Sequence, residues 1–532
     1  MKITSAVPAD LRTRVTRYWP IAAILAVAAL ARLCGINFGL PHLNTRPDEG
    51  GIAAIVGGIY HGHFNPGIFN YPAFFMLTIA AVLRVLSIGS LDINATTPYR
   101  VARYLSASAG IASVLLIFRI GSRLFGQTTA LAAAALLSLA FLHVRDSHFG
   151  VTDVPMTFMV LVAFLLIVRL SQSGTTKDLI MAGIASGLAT STKYNAALIA
   201  LPALLVILTD PDGMRRPMNE RSRRMAIYFS VMAAAFLVTS PYSLLEYRRF
   251  IADVSYESRH LAEGHGVNLG RGWIYHLTTT LRYGVGIPIL VAGIAGFPLM
   301  FWRDRWKGTL VGLFPVAYYV LLGSGYTVFA RYMLPVVPFL CLTAAYTVTE
   351  AASWLAARVQ RPKLSPIFVG AGVIALLVPS ALSVVSFDRL ISRTDSRLLA
   401  RAWVESQFPS GTTIAQLGAG GSHVYLHDVN EPKYVGVKLT RRARPDLVIV
   451  PSSPLTPVPP ELAGVRRTLA REYELGFARN VAGDNPDNIY DRQDDFYLPL
   501  AGFKNIERPG PNLNIYIRRG AFPNVPRIVR PD

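Results

Sequence analysis

Between Tyr18 and about Ser386 the chain alternates long apolar stretches with short polar breaks, and beyond that point the long stretches stop. Apolar segments run near 19–38, 71–88, 101–120, 127–144, 154–170, 178–192, 194–209, 224–240, 284–302, 308–323, 330–350 and 365–386. Most approach the 17–25 residues a helix needs to cross the hydrocarbon core of a bilayer, and some are short. Residues 1–390 are therefore expected to form a polytopic α-helical membrane domain. From about Arg393 the pattern changes. Leu398 to Phe408 reads as an amphipathic helix stopped by Pro409-Ser410-Gly411, and Thr412 to Leu417 and Asp446 to Val450 read as short buried strands. Residues 391–532 are expected to form a small α/β domain outside the membrane, either contacting an acceptor or capping the site.

Basic residues between the apolar segments orient the helices, because cytoplasmic loops carry the excess of Lys and Arg. The N-terminus (Arg12, Arg14, Arg17), Arg119 and Arg123, Arg215 to Arg224, Arg303 to Lys307 and Arg358 to Lys363 all read as inside. Twelve crossings would put some of these outside, and removing one crossing between Asp48 and Arg119 repairs every loop. The segment 71–88 carries Arg84 and follows the Tyr71-Pro72 break, so it is expected to lie along the outer interface; the alternative is that it spans and another segment does not. The result is about eleven crossings, with the N-terminus inside and the C-terminus outside. The basic start is not followed by a small-residue cleavage site, so the first helix is expected to be retained.

Composition supports this picture. The 532 residues are 52% hydrophobic and 16% charged, against roughly 25% charged in a soluble domain. Lys and Arg number 52 and Asp and Glu 32, a net +20, but much of the excess sits in the short loops, where it meets anionic lipid rather than nucleic acid. The two cysteines, Cys34 and Cys341, lie in apolar segments and give neither a disulfide framework nor a thiolate metal site.

This topology gathers the polar residues capable of chemistry on the outer face. Asp48 and Glu49 stand in Arg46-Pro47-Asp48-Glu49-Gly50, just after the first apolar segment. Ionisable groups at a membrane are costly and are usually kept for function. A carboxylate there can serve as general base toward an acceptor hydroxyl or amine, or can simply pair with Arg46. Arg145-Asp146-Ser147-His148 leads into Thr152-Asp153-Val154-Pro155. Asp153 either acts at the site or caps the helix that Pro155 opens, and His148 could bind phosphate, move a proton or hold a loop. Lys193, in Thr192-Lys193-Tyr194-Asn195, either meets a lipid phosphate or snorkels at a helix end. Arg331, before Tyr332, carries the same two readings. The loop from Pro241 to Gly286 is rich in Arg, His and aromatics, among them Arg259, His260 and His265, as a sugar-phosphate site would be.

No strong metal motif is present. His61 and His63 are weakly spaced, and a divalent cation at Asp48 and Glu49 stays open. Asp210-Pro211-Asp212 reads as a turn, and Gly183 and Gly187 as a small-residue helix-packing pair. The chain lacks a P-loop and a dinucleotide fingerprint, so energy for a reaction would come from an activated substrate.

Taken together, Asp48-Glu49, Tyr71-Pro72, His148…Asp153-Val154-Pro155, Thr192-Lys193-Tyr194-Asn195 and Arg331-Tyr332-Met333-Leu334-Pro335 resemble the GT-C membrane glycosyltransferases, over roughly residues 15–350. The branch in view is that of the protein O-mannosyltransferases and the lipid A aminoarabinose transferase (glycosyltransferase family 39/83-like). The resemblance implies a GT-C fold and inverting transfer of a sugar from a polyprenyl-phosphate donor to a glycan, lipid or protein acceptor, at the outer face of a bacterial inner membrane. It implies Asp48 as catalytic base with Glu49 beside it, Asp153 as a second acidic position, and Lys193 and Arg331 near the lipid phosphate. His148, Tyr194, Arg259, His260 and Tyr332 join the expected substrate-binding set. Tyr71-Pro72 is followed by Ala73 where related chains often have a second proline, which departs from the protein-mannosylating branch. The competing class is a lipid-linked sugar flippase, which would show internal repeats and midplane charges.

Overall fold

The computed structural model describes residues 9–90, 92–426, 433–440, 443–456, 459–494 and 496–528; the side chains of residues 9–17, including Arg12, Arg14 and Arg17, lie outside the described set. The chain divides into two compact units, Met1–Cys34 with Ile52–Val384, and Gly35–Gly51 with Val385–Asp532.

The first unit is helical. Every apolar segment of the sequence is helical, from Ala9–Leu33 and Phe74–Ile88 through Asp153–Ser173 and Met218–Thr239 to Val337–Arg358 and Ser365–Ile391. Four stretches, Thr97–Leu124, Asp153–Ser173, Ala330–Arg358 and Pro362–Gln407, are long and apolar enough to cross a membrane among the described residues. Large apolar side chains such as Ile88, Val238, Ile374 and Leu382 point outward and are mostly exposed. That surface is costly in water and at home in lipid. The protein is a multi-pass membrane protein.

Close packing of the helices rests on small residues. Gly183 and Gly187 of the helix Thr176–Thr190 face Met218–Thr239, where a Cβ on Gly187 would come within 2.3 Å of the Met232 carbonyl oxygen. Gly293 and Gly296 do the same against Leu340 and Thr343.

Hydrogen bonds between turns define the two ends of the unit. At one end, Arg123 bonds Gln172 at 2.8 Å, Arg216 bonds the Gly174 carbonyl at 3.1 Å, and Trp306 reaches Thr209 at 3.4 Å. Asp210 is in a left-handed conformation at φ 44° and closes the helix Ala200–Thr209, so the Asp-Pro-Asp sequence is the expected turn. At the other end, Ser191 bonds Ser240 at 2.8 Å, Phe74 N–H donates to the Ser191 carbonyl at 3.0 Å, and Tyr326 N–H donates to the Leu261 carbonyl at 2.9 Å.

The second unit carries a five-stranded sheet, formed by β1 (Thr413–Gln416), β2 (Val435–Gly436), β3 (Leu447–Ser452), β4 (Tyr473–Arg479) and β5 (Asn512–Arg518) in the order β2-β1-β3-β5-β4. β1 runs parallel to β2 and β3, and β5 runs antiparallel to β3 and β4. Both faces are covered, so β3 is a continuous apolar run. Leu447 and Ile449 pack with Ala400 and Val404 of the helix Ser396–Gln407, whereas Val448 and Val450 pack with Leu469 of Leu462–Glu472.

Candidate active site

Asp48 and Glu49 belong to the second unit. The segment 35–51 is pinned by long-range contacts within it. Arg46 Nη1 donates to Asp494 Oδ1 at 2.5 Å in a buried ion pair, and the guanidinium lies 5.8 Å from the Phe496 ring centre. Arg397 donates to the Asn44 carbonyl at 3.2 Å. His42 is anchored at both nitrogens, since Nδ1 accepts from the Asn44 N–H at 3.2 Å and Nε2 lies 2.7 Å from the His423 carbonyl. That arrangement holds one neutral tautomer, and burial together with the Arg397 charge lowers its pKa to about 4. Asp48 takes a left-handed backbone at φ 70° and Glu49, which is buried, opens the helix Glu49–Tyr60. A positive φ is uncommon outside glycine, although Asp tolerates it better than most residues. The turn puts both carboxylates at the start of the helix, where the positive end of its dipole favours negative charge.

In the helical unit, Asp153 begins the helix Asp153–Ser173. Its carboxylate does not serve as a cap. It accepts from Lys193 Nζ at 2.5 Å, with side-chain exposures of 3% and 13%. Lys193 sits at the break between Thr176–Thr190 and the 3-10 helix Tyr194–Ile199, and its part-buried ammonium is held in this ion pair. The same ammonium lies 5.2 Å from the Tyr332 ring centre, a cation–π contact. Tyr332 belongs to the 3-10 helix Ala330–Val336, and Arg331, also buried, lies 4.2 Å from the centre of the Phe329 ring.

Phe329 links this turn to the 241–286 loop. It meets Tyr332 at 5.4 Å, His265 at 5.2 Å and His260 at 6.4 Å between ring centres. His260 stacks on Tyr256 at 6.0 Å, its Nε2 is 3.0 Å from His265 Nδ1, and its carbonyl accepts from the Thr327 hydroxyl. Partial burial, with the His265 and Arg331 charges, lowers the His260 pKa. Tyr194 donates its hydroxyl to the Phe69 carbonyl at 2.9 Å. Asp153, Lys193, Tyr332, Arg331, His260 and His265 are thus joined by direct contacts around one turn. Arg259, exposed on the helix Tyr247–Glu263, makes none of them.

His148 is fully buried. Its Nδ1 is 3.0 Å from the Val144 carbonyl and its Nε2 is 2.9 Å from the Cys34 carbonyl, while burial lowers its pKa to about 4. A neutral imidazole donates to only one of these, and the ring serves to hold the turn after Phe141–Asp146. The neighbouring Arg145–Asp146 pair, at 3.0 Å, is fully buried as well. An apolar cavity of about 270 Å³ opens between the 64–77 and 238–243 segments, lined by Phe64, Phe69, Pro72, Leu77, Val238 and Tyr242. Among the described residues no group of three or more His, Cys, Asp or Glu could hold a metal ion.

Sequence reasoning overlooked two buried arginines. Arg32 donates to the Ala28, Ser138 and Leu137 carbonyls at 2.8–3.2 Å and sits 3.0 Å from His143 Nδ1, and Arg103 is fully buried in Thr97–Leu124. Each is a charge inside an apolar segment, which is itself the signal.

Comparison with known proteins fits this architecture. The family model described as Dolichyl-phosphate-mannose-protein mannosyltransferase matches residues 93–244. No curated protein matches the chain in sequence. ArnT from Cupriavidus metallidurans in the apo state is 14% identical with a TM-score of 0.56, covering 95% of this chain and 98% of that one. The same protein bound to undecaprenyl phosphate is 15% identical with a TM-score of 0.54, again covering 95% and 98%. The oligosaccharyltransferase AglB from Archaeoglobus fulgidus, in complex with an inhibitory peptide and a dolichol-phosphate, is 14% identical with a TM-score of 0.50 over 74% of this chain; the chain spans only 59% of its length. The chain thus shares the fold of these membrane transferases, and its residues 93–244 match the mannosyltransferase family model.

Proposed function

We propose that the protein transfers a sugar from a polyprenyl-phosphate donor to a glycan, lipid or protein acceptor at the outer face of the cytoplasmic membrane, with inversion. Residues 1–390 form the transmembrane catalytic domain and 391–532 the extracytoplasmic domain, with the N-terminus in the cytoplasm. The observation that carries this reading is Asp48, held at φ 70° at the start of a helix by a segment anchored through the buried Arg46–Asp494 pair. A carboxylate placed by backbone strain in a GT-C fold suits a general base.

In the reaction, Asp48 takes the proton of the acceptor hydroxyl as its oxygen attacks the anomeric carbon. The carbon–oxygen bond to the phosphate breaks from the opposite face, and polyprenyl phosphate leaves as an anion. Glu49 supports the base. Arg331 and Lys193 stabilise the leaving phosphate, Asp153 orients Lys193, and Tyr194, Tyr332, His260 and Arg259 line the sugar-phosphate side. The apolar cavity beside Phe69 suits the first isoprene units of the donor. A divalent cation, if used, would bind at Asp48 and Glu49. Undecaprenyl phosphate bound to ArnT supports the donor class.

The test is release of free polyprenyl phosphate from a panel of polyprenyl-phosphate sugars by protein in nanodiscs, with a membrane extract as acceptor. Wild type should release it and Asp48→Asn should not. Carrier movement across the bilayer without release would instead establish a flippase.

A further inference from the structure

The end of the helical unit away from Asp153 holds a second charged cluster. Five arginines, Arg215, Arg216, Arg221, Arg223 and Arg224, fall within ten residues there, with Asp210, Asp212 and Glu220 as the local acids. The aspartates are already committed. Asp210 accepts from Arg216 N–H at 2.8 Å, Arg216 Nη1 at 2.9 Å and Arg221 Nε at 2.9 Å. Asp212 accepts from Arg216 at 3.0 and 2.6 Å and from Met214 N–H at 3.2 Å. Glu220 Oε1 is 3.6 Å from Arg216 Nε.

Arg224 is left over. It is only 6% exposed, and its Nε has no hydrogen-bond partner among the described residues. A buried guanidinium N–H without an acceptor is costly, because nothing replaces the water it has lost. One turn further on, Tyr228 is buried and tied to Ser186, so the helix Met218–Thr239 cannot rotate to free the arginine. The surface beside it is amphiphilic. Met214 and Met218 are 69% and 64% exposed, and Phe229 and Leu208 are also exposed, next to Arg215 and Arg223, which are solvent-facing. Cations beside exposed apolar side chains match a molecule with an anionic head and acyl chains, whereas a free anion would have no use for the apolar part.

We propose that Arg224 is the anchor of a specific binding site for an anionic phospholipid, its headgroup phosphate held by Arg224 with Arg223 and Arg215 and its acyl chains lying along Met218 and Phe229. The site is independent of the transferase reading and needs only that the protein sits in a bilayer.

The experiment is native mass spectrometry of the full-length protein released from nanodiscs of equal phosphatidylglycerol and phosphatidylcholine, counting retained lipid. Wild type should hold one phosphatidylglycerol in preference to phosphatidylcholine. Arg224→Gln should reduce that retention about tenfold, the loss of a charge-assisted contact. Arg224→Lys should retain part of it, which separates a lost site from a misfolded variant. Arg223→Gln, one residue away and exposed, should cost much less. Millimolar inorganic phosphate should not displace the lipid. Equal retention by wild type and Arg224→Gln, equal losses for Arg224→Gln and Arg223→Gln, or full displacement by phosphate would each overturn the proposal.

Discussion

The Asp153–Lys193 pair makes the sharpest quantitative demand. The two side chains are 40 residues apart in sequence, meet at 2.5 Å, and are 3% and 13% exposed. Removing one partner of a buried ion pair strands the other charge, at a cost of about 3–5 kcal/mol. Lys193→Met leaves Asp153 in the drier position and should cost about 3 kcal/mol of stability. Asp153→Asn leaves an ammonium nearer solvent that keeps the Tyr332 ring, and about 2 kcal/mol is expected. The double variant removes both charges, so its cost should fall short of the sum by about 2 kcal/mol. The four proteins would be compared by denaturant titration in matched lipid–detergent micelles, alongside release of polyprenyl phosphate. Turnover should fall about a hundredfold in Lys193→Met, equivalent to about 2.7 kcal/mol, and recover in part with Lys193→Arg. Strictly additive stability losses would refute the coupling, and full activity in Lys193→Met would refute the role assigned to the lysine.

Three further outcomes follow from the geometry. Gly187→Ala places a Cβ 2.3 Å from the Met232 carbonyl and 2.7 Å from Ala235 Cβ, so it should lower stability by about 1–3 kcal/mol, read as a lower unfolding midpoint, whereas Gly370→Ala, with open space around it, should not. His42 has its pKa depressed to about 4 in the folded chain against 6.5 unfolded, so its contribution is complete above pH 6.5 and is lost as pH falls toward 4; at most about 3 kcal/mol is at stake, and His42→Gln should flatten that part of the pH–stability curve. Asp494→Ala breaks the buried ion pair with Arg46 and should cost about 3 kcal/mol while abolishing sugar transfer, a result that circular dichroism and the release assay together would check.

The helical part of the fold was legible because burial in lipid demands long apolar runs, and every such run became helix. Juxtamembrane helices were expected in the first outer loop, but the bounds of Glu49–Tyr60 could not be read. Its four glycines argue against helix by about 1 kcal/mol each, yet Ile52, Val56 and Ile59 form a buried stripe at helical spacing that overrides them. β5 is legible in the sequence, since Leu513, Ile515 and Ile517 alternate inward with period two. At the site, residue types and order pointed to Asp153, Lys193 and Arg331 separately. Their partners could not be read, because choosing between a cap and an ion pair for Asp153, or between solvent and an aromatic ring for Lys193, depends on contacts made across the fold. His148 shows the same limit: its chemistry suggested a ligand-binding group, and its surroundings turn out to be two backbone carbonyls.

The contact between Arg46 and Asp494 spans 448 residues. During synthesis the early partner leaves the ribosome first and must wait for the late one. At about 5–20 residues per second, that interval is roughly 20–90 s. Throughout it the segment bearing Asp48 has left the ribosome but lacks its anchor, while helices downstream are still entering the membrane. The nascent chain thus lacks this contact until Asp494 emerges, and a truncated translation product ending before Asp494 would insert its helices without the Arg46–Asp494 pair.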